Sequence, residues 1–294
     1  MQRKTLDLPQ GRISYLERGK ADAGQPCLVF LHGLMGTAAT FAPCLEALPP
    51  GRHAIAIDLP GAGFSERSLA VSPALHSMSN IVRRVLDALE LERPLLVGYS
   101  HGGAVALHMA ASEPGRVRGL VLLAPAHPYF RQADKIIAFY LSPPGRAFAH
   151  TVPWYPAWMQ RAGLRRIAGP HSWDPPERLT PYRENLRTPG TIAFLLRLLR
   201  TWHTDMRGLQ FLLQAPFSLP ALVIWGDHDW VVPVSTAPDL LRRLRNGELE
   251  VLPGVGHRPA EERPEVCAEL IEGWWKRQAT TSPGPVSGAK ESFR

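Results

Sequence analysis

The sequence predicts an α/β domain: a mostly parallel sheet sandwiched by helices and interrupted by an inserted helical lid. Three observations predict it. Short, uninterrupted apolar runs recur at 27–31, 54–57, 95–97, 120–123 and 222–225, the signature of parallel strands covered on both faces. Helical stretches lie between and after them, at 80–91, 101–112, 236–245 and 264–278, and strand alternating with helix implies βαβ units. The alternation then breaks between about Pro128 and Leu219, where the β signal is weak.

Taken in order, two alternating segments, Thr5–Leu8 and Arg12–Glu17, are joined by Pro9-Gln10-Gly11 and read as an N-terminal hairpin. The apolar runs and their helices follow. The irregular stretch carries Pro-Pro at 143 and 175, tryptophans at 154, 158, 173 and 202, and the amphipathic run Ile192–Leu199, so it reads as a helical insertion between two strands. Residues 249–257 form the next strand and a Gly-rich loop. The expected division is a core at 1–127 and 220–279, a helical cap at 128–219, and a disordered tail at 280–294 rich in Ser, Pro, Gly and Lys.

Composition narrows the function classes. With 294 residues, 45% hydrophobic and 20% charged, the chain can bury a full core, and disordered or fibrous classes are excluded. No run of about 18 apolar residues occurs, and the N-terminus lacks the apolar region of a signal peptide. The expectation is a soluble, cytoplasmic protein without stable membrane insertion. Cys27, Cys44 and Cys267 are odd in number and widely spaced, which fits neither a disulfide framework nor a zinc site. The net charge of +7 is local: between Gly145 and Leu213 ten arginines face four acids. This distribution argues against a basic nucleic-acid-binding tail.

The chemistry centres on Leu96-Val97-Gly98-Tyr99-Ser100-His101-Gly102-Gly103. A serine on a sharp strand-to-helix turn is lifted clear of the sheet, and flanking glycines keep the backbone from colliding with it. Its hydroxyl needs a neighbouring base, and the base needs an orienting carboxylate. Asp227 and Asp229 lie in the turn after the 222–225 strand, and His257 lies in the loop after the next one. Ligand sites of open α/β sheets form at such carboxyl ends. Upstream, His32-Gly33-Leu34-Met35-Gly36 follows a strand, where backbone N–H groups can point at a developing oxyanion.

These pieces together resemble the α/β-hydrolase fold superfamily, of the serine esterase type with a helical cap. The resemblance rests on His32-Gly33, on Asp58-Leu59-Pro60-Gly61-Ala62-Gly63-Phe64-Ser65, on the turn at Ser100, on Gly226-Asp227-His228-Asp229 with Pro233, and on Gly256-His257. It implies Ser100 as nucleophile, His257 as base and later acid, Asp229 rather than Asp227 as orienting acid, and the Leu34 and His101 backbone N–H groups as oxyanion hole. It also implies a cofactor-free hydrolase with no metal, acting on a small-molecule ester or acyl substrate. Serine at the turn argues against the haloalkane dehalogenase and epoxide hydrolase branches, which need a carboxylate nucleophile. Carbon–carbon, thioester, lactone and amide hydrolysis, perhydrolysis, and a low-turnover ligand-binding protein remain open on the same triad.

Neighbouring residues take plainer readings. Asp227 reads as a turn cap, His32 as a structural histidine beneath the oxyanion loop, and His228 beside Asp229 as too little for a metal. Gly61-x-Gly63 is followed by Glu66 where a dinucleotide fingerprint needs glycine. The insertion's arginines read as a solvated face, with an anionic substrate or an acidic carrier protein as the sharper alternative.

Overall fold

The computed structural model describes residues 1–281 apart from 23, 69, 171, 173, 174 and 216. Its single sheet runs in the order β1-β2-β4-β3-β5-β6-β7-β8, with β1 (Gln2–Leu8), β2 (Gly11–Arg18), β3 (Leu28–Leu31), β4 (Ala54–Ile57), β5 (Leu95–Tyr99), β6 (Gly119–Leu123), β7 (Phe217–Gly226) and β8 (Leu244–Leu252). β1 and β2 form the expected hairpin, and β2 pairs antiparallel with β4; every later pairing is parallel.

Strands β3 to β6 are buried along their whole length, which is why they read as continuous apolar runs. Side chains alternate between two cores. Val29, Leu31, Ile55, Ile57 and Leu96 pack on one face with α2 (Leu75–Ala88) and α3 (His101–Ser112). Leu28, Phe30, Ala54, Ala56 and Val97 pack on the other with α1 (Ala42–Ala47) and α11 (Pro264–Thr281). All three cysteines are free and buried in these cores, and burial pushes the Cys27 and Cys44 thiols up to about 12.

Parallel register aligns the carboxyl ends of the strands. Leu31 lies opposite Gly98, Tyr99 opposite Leu123, Leu123 opposite Ile224, and Gly226 opposite Leu252. The loops bearing Gly33, Ser100, Asp229 and His257 therefore leave the sheet along one edge.

Between β6 and β7 come α4 (Ala133–Leu141), α5 (Pro143–Thr151), α6 (Ala157–Arg166), α7 (Thr180–Arg187) and α8 (Thr191–Leu212). The last contains the amphipathic run noted in the sequence. Its Phe194, Leu198, Trp202, Met206 and Leu209 join the core on the α3 face. The fit is close: a Cβ on Gly61, whose φ is +83°, would stand 2.3 Å from the Phe194 ring. Only glycine combines that backbone angle with that approach.

Several boundaries differ from the sequence reading. α2 begins at Leu75 rather than Asn80, because Leu75 and Met78 extend its buried face. α9 (Ala237–Leu241) stops well before Arg245, and the chain from Leu244 instead pairs with β7 from Phe217 onward; sheet pairing overrides the helical bias of the Leu/Arg run. β7 thus starts inside the expected 128–219 insertion. α10 (Pro259–Glu262) precedes α11. α11 carries helix through Thr280 and Thr281, two residues assigned to the tail, while 282–294 lie outside the described residues.

Candidate active site

Ser100 sits between β5 and α3 with φ 49° and ψ −117°, outside the regions a non-glycine residue ordinarily adopts. The flanking glycines make that turn possible. A Cβ on Gly98 would lie 2.6 Å from Gly102 O, and one on Gly102 would lie 2.1 Å from Leu31 O. Ser100 N–H donates to Leu123 O at 3.0 Å and Ser100 O accepts from Ala126 N at 2.9 Å, so the turn is tied to the end of β6 and to the loop that follows it.

His257, in the loop after β8, places Nε2 3.0 Å from Ser100 Oγ and Nδ1 2.8 Å from Asp229 Oδ2. The imidazole is buried and packs on Tyr99, ring centres 5.3 Å apart. Asp229 has no exposed side-chain surface. Its Oδ1 accepts from Val231 N at 2.9 Å and Val232 N at 3.0 Å, and its Oδ2 from Trp225 Nε1 at 3.2 Å. Asp227 faces elsewhere: it accepts from Gly254 N at 2.7 Å and pairs with the exposed His228. The hydrogen bond from His228 holds its carboxyl below the usual range. It closes the turn.

The oxyanion-loop residues lie against the serine. A Cβ on Gly33 would come within 3.0 Å of Ser100 Cβ. Among the described residues neither Leu34 N–H nor His101 N–H donates a hydrogen bond, as expected for donors of a loop and a helix N-terminus that are free for a ligand. His32 Nε2 accepts from Leu59 N at 3.0 Å, which leaves Nδ1–H to donate to Gly33 O at 2.9 Å. Burial lowers its pKa, so the ring is a neutral strut beneath the loop. His101 is buried against Trp202, and burial, with His32 nearby, lowers it to about 3. Its side chain stays uncharged.

The Asp58–Ser65 segment is a structural knot. Asp58 accepts from Ala38 N, Phe64 N and Arg3 Nη1. Leu59, Pro60 and Ala62 help to floor a cleft beside the oxyanion loop, whose other walls include Leu34, Phe194 and Leu198. This lining is mainly apolar, with His32, His101 and Asn185 among it.

Three supporting residues escaped the sequence reading. Asn185, on α7 and buried, donates to Met35 O at 2.9 Å and accepts from Gly63 N at 2.9 Å, joining cap to oxyanion loop. Glu262 accepts from Gly256 N and Arg258 N, on either side of His257, and from Gly169 N and Ser172 Oγ of the cap. Trp225 reads locally as a strand residue. No local pattern marks Asn185 or Trp225, whereas the position of Glu262 shortly after His257 was a usable signal. Among the described residues no group of three or more His, Cys, Asp or Glu side chains could hold a metal ion, and no helix is long and apolar enough to cross a membrane.

A family model described as the alpha/beta hydrolase fold matches residues 26–162. The structure of haloalkane dehalogenase DbeA from Bradyrhizobium elkani superposes with a TM-score of 0.81, covering 96% of this chain and 99% of that one at 21% identity. The chain has the α/β-hydrolase fold. Relatives of this α/β hydrolase include the pimeloyl-[acyl-carrier protein] methyl ester esterase of Xylella fastidiosa, 28% identical over 243 residues covering 80% of this chain and 89% of the relative. Human monoacylglycerol lipase ABHD6 is 24% identical over 263 residues, covering 88% of this chain and 78% of the relative. The protein is thus a hydrolase whose relatives include esterases and lipases.

Proposed function

We propose that this α/β hydrolase cleaves a carboxylic ester through an acyl-enzyme on Ser100. The observation that carries the reading is the continuous chain Ser100 Oγ to His257 Nε2 at 3.0 Å and His257 Nδ1 to Asp229 Oδ2 at 2.8 Å. His257 takes the Ser100 proton as Oγ attacks the substrate carbonyl, and Asp229 holds the tautomer and stabilises the imidazolium. The Leu34 and His101 amides receive the tetrahedral oxyanion, each such donor being worth about 3 kcal/mol of transition-state stabilisation. His257 returns the proton to the departing alkoxide, then activates water to release the acid. No step calls on a cofactor.

An ester is favoured over the other bonds open to this triad because two relatives carry ester-cleaving names, a methyl ester esterase and a monoacylglycerol lipase. The test is labelling with a fluorophosphonate, followed by a series of p-nitrophenyl esters of rising chain length. Wild type is expected to label at Ser100 and to hydrolyse the esters, and Ser100→Ala to do neither. Folded protein that neither labels nor turns over would leave a ligand-binding protein on the hydrolase scaffold.

A further inference from the structure

Helices α4, α5 and α6 present an apolar face that nothing among the described residues covers. α4 buries Ile137 yet leaves Ile136 and Phe139 exposed, and α6 buries Leu164 yet leaves Trp158 and Met159 exposed. Trp154, in the turn between α5 and α6, is 69% exposed and Trp158 is 70% exposed. Stacked rings link α4 to the turn before α6. Phe139 stacks edge-on against Phe148 at 5.9 Å, and Phe148 against Tyr155 at 6.1 Å. Gln160 Nε2 donates to Val152 O at 2.9 Å and Pro153 O at 3.0 Å and so joins α6 to the turn carrying Trp154.

The charge on this segment is strongly biased: its one acid is Asp134, at the start of α4 and 3.8 Å from His203 Nδ1. From Lys135 to Trp173 the chain has no Asp or Glu, but it has Lys135, Arg146, Arg161, Arg165 and Arg166. Lys135 on α4 and Arg165 and Arg166 on α6 are exposed, with Arg166 over the Trp230 ring. A solvated face would interleave acids among its cations, and it would not hold two tryptophans in water. Exposed Trp and Phe flanked by cations match the boundary of an anionic bilayer, where indole rings settle at headgroup depth and long basic side chains reach the phosphates.

We propose that the α4–α6 face of the cap docks the protein on an anionic lipid surface. The attachment is peripheral, made by Trp154, Trp158, Met159 and Phe139 with Lys135, Arg165 and Arg166 around them. An acidic protein partner would use the same cations, and binding to polyglutamate rather than to vesicles is the result that would point to it. The inference is independent of the ester-hydrolase reading, since it concerns where the protein sits and not what Ser100 does.

The experiment is co-sedimentation of the full chain with phosphatidylcholine vesicles, alone or with phosphatidylglycerol added, at low and high salt. Partition onto the anionic vesicles is expected to exceed that onto the neutral ones by about ten-fold or more and to weaken with salt. Trp158→Ser is expected to cut anionic-vesicle partition several-fold, and Arg165→Glu with Arg166→Glu to abolish the preference, while far-UV circular dichroism stays unchanged. Trp154 also lies under Arg187, so the Trp158 and arginine variants give readouts that do not depend on that contact. Equal partition onto both vesicles, wild-type partition by the variants, or retention on polyglutamate without vesicle binding would each overturn the proposal.

Discussion

Trp225 Nε1–H is shared between Asp229 Oδ2 at 3.2 Å and Val232 O at 2.8 Å. A fully buried strand residue thus reaches forward to the carboxylate that orients His257 and to the loop that carries it. Trp225→Phe keeps most of the volume and deletes this donor. One hydrogen bond is worth about 1 kcal/mol net, so kcat is expected to fall about five-fold with KM little changed. Steady-state kinetics on a p-nitrophenyl ester check it. An unchanged kcat would mean that the Val231 and Val232 amides alone hold Asp229.

The two acids of the β7 loop separate by mutation. Asp229→Asn turns an amide N–H toward His257 Nδ1 and favours the tautomer whose Nε2 carries the proton, leaving Ser100 without a base. A loss of about 10⁴-fold in kcat is expected on the precedent of such triads. Asp227→Asn only loosens the bond to Gly254 N, so kcat should stay within about two-fold of wild type. The reverse order of the two losses would reassign the acid.

Legibility followed locality. The strands were readable because burial on both faces leaves a continuous apolar run, and the meeting of Ser100, Asp229 and His257 because each lies in a loop that follows a strand at the same edge of the sheet. The bounds of α9 and β8 were not. The pairing of Leu244 with Phe217 depends on a partner strand far away in sequence, so local propensity gave the wrong element. Asn185 was invisible for the same reason: its partners Met35 and Gly63 lie more than a hundred residues upstream.

Acid should destabilise the fold through its buried histidines. His127 is fully buried against Trp225, donates through Nε2 to Thr236 Oγ1, and accepts from Tyr129 N at Nδ1. Burial lowers its pKa from 6.5 to about 4. Between those values the unfolded chain binds a proton that the folded one refuses, so stability rises with pH. The contribution is complete above pH 6.5 and is lost as pH falls to about 4, on the order of 3 kcal/mol. His101, lowered to about 3, acts in the same direction. Urea unfolding across this range should show the decline, and His127→Gln, which cannot titrate, should flatten part of it. An identical slope in the variant would remove His127 as a source.

Asn185 provides the sharpest test of cap and core acting together. Its side-chain amide donates to Met35 O at 2.9 Å and Gly36 O at 3.3 Å, while its carbonyl accepts from Gly63 N and Arg67 Nη2. Met35, at φ 63°, follows Leu34, whose N–H is assigned to the oxyanion. Asn185→Ala leaves those carbonyls without their donor and costs about 1–3 kcal/mol of stability. If Asn185 served only to hold the cap, the folded variant would keep its kcat. Because it also fixes the loop that carries Leu34, kcat is expected to fall about ten-fold, with affinity for a boronic acid falling in proportion to kcat/KM. Asn185→Asp should be worse than Asn185→Ala, since it aims a negative charge at two carbonyl oxygens that now accept hydrogen bonds.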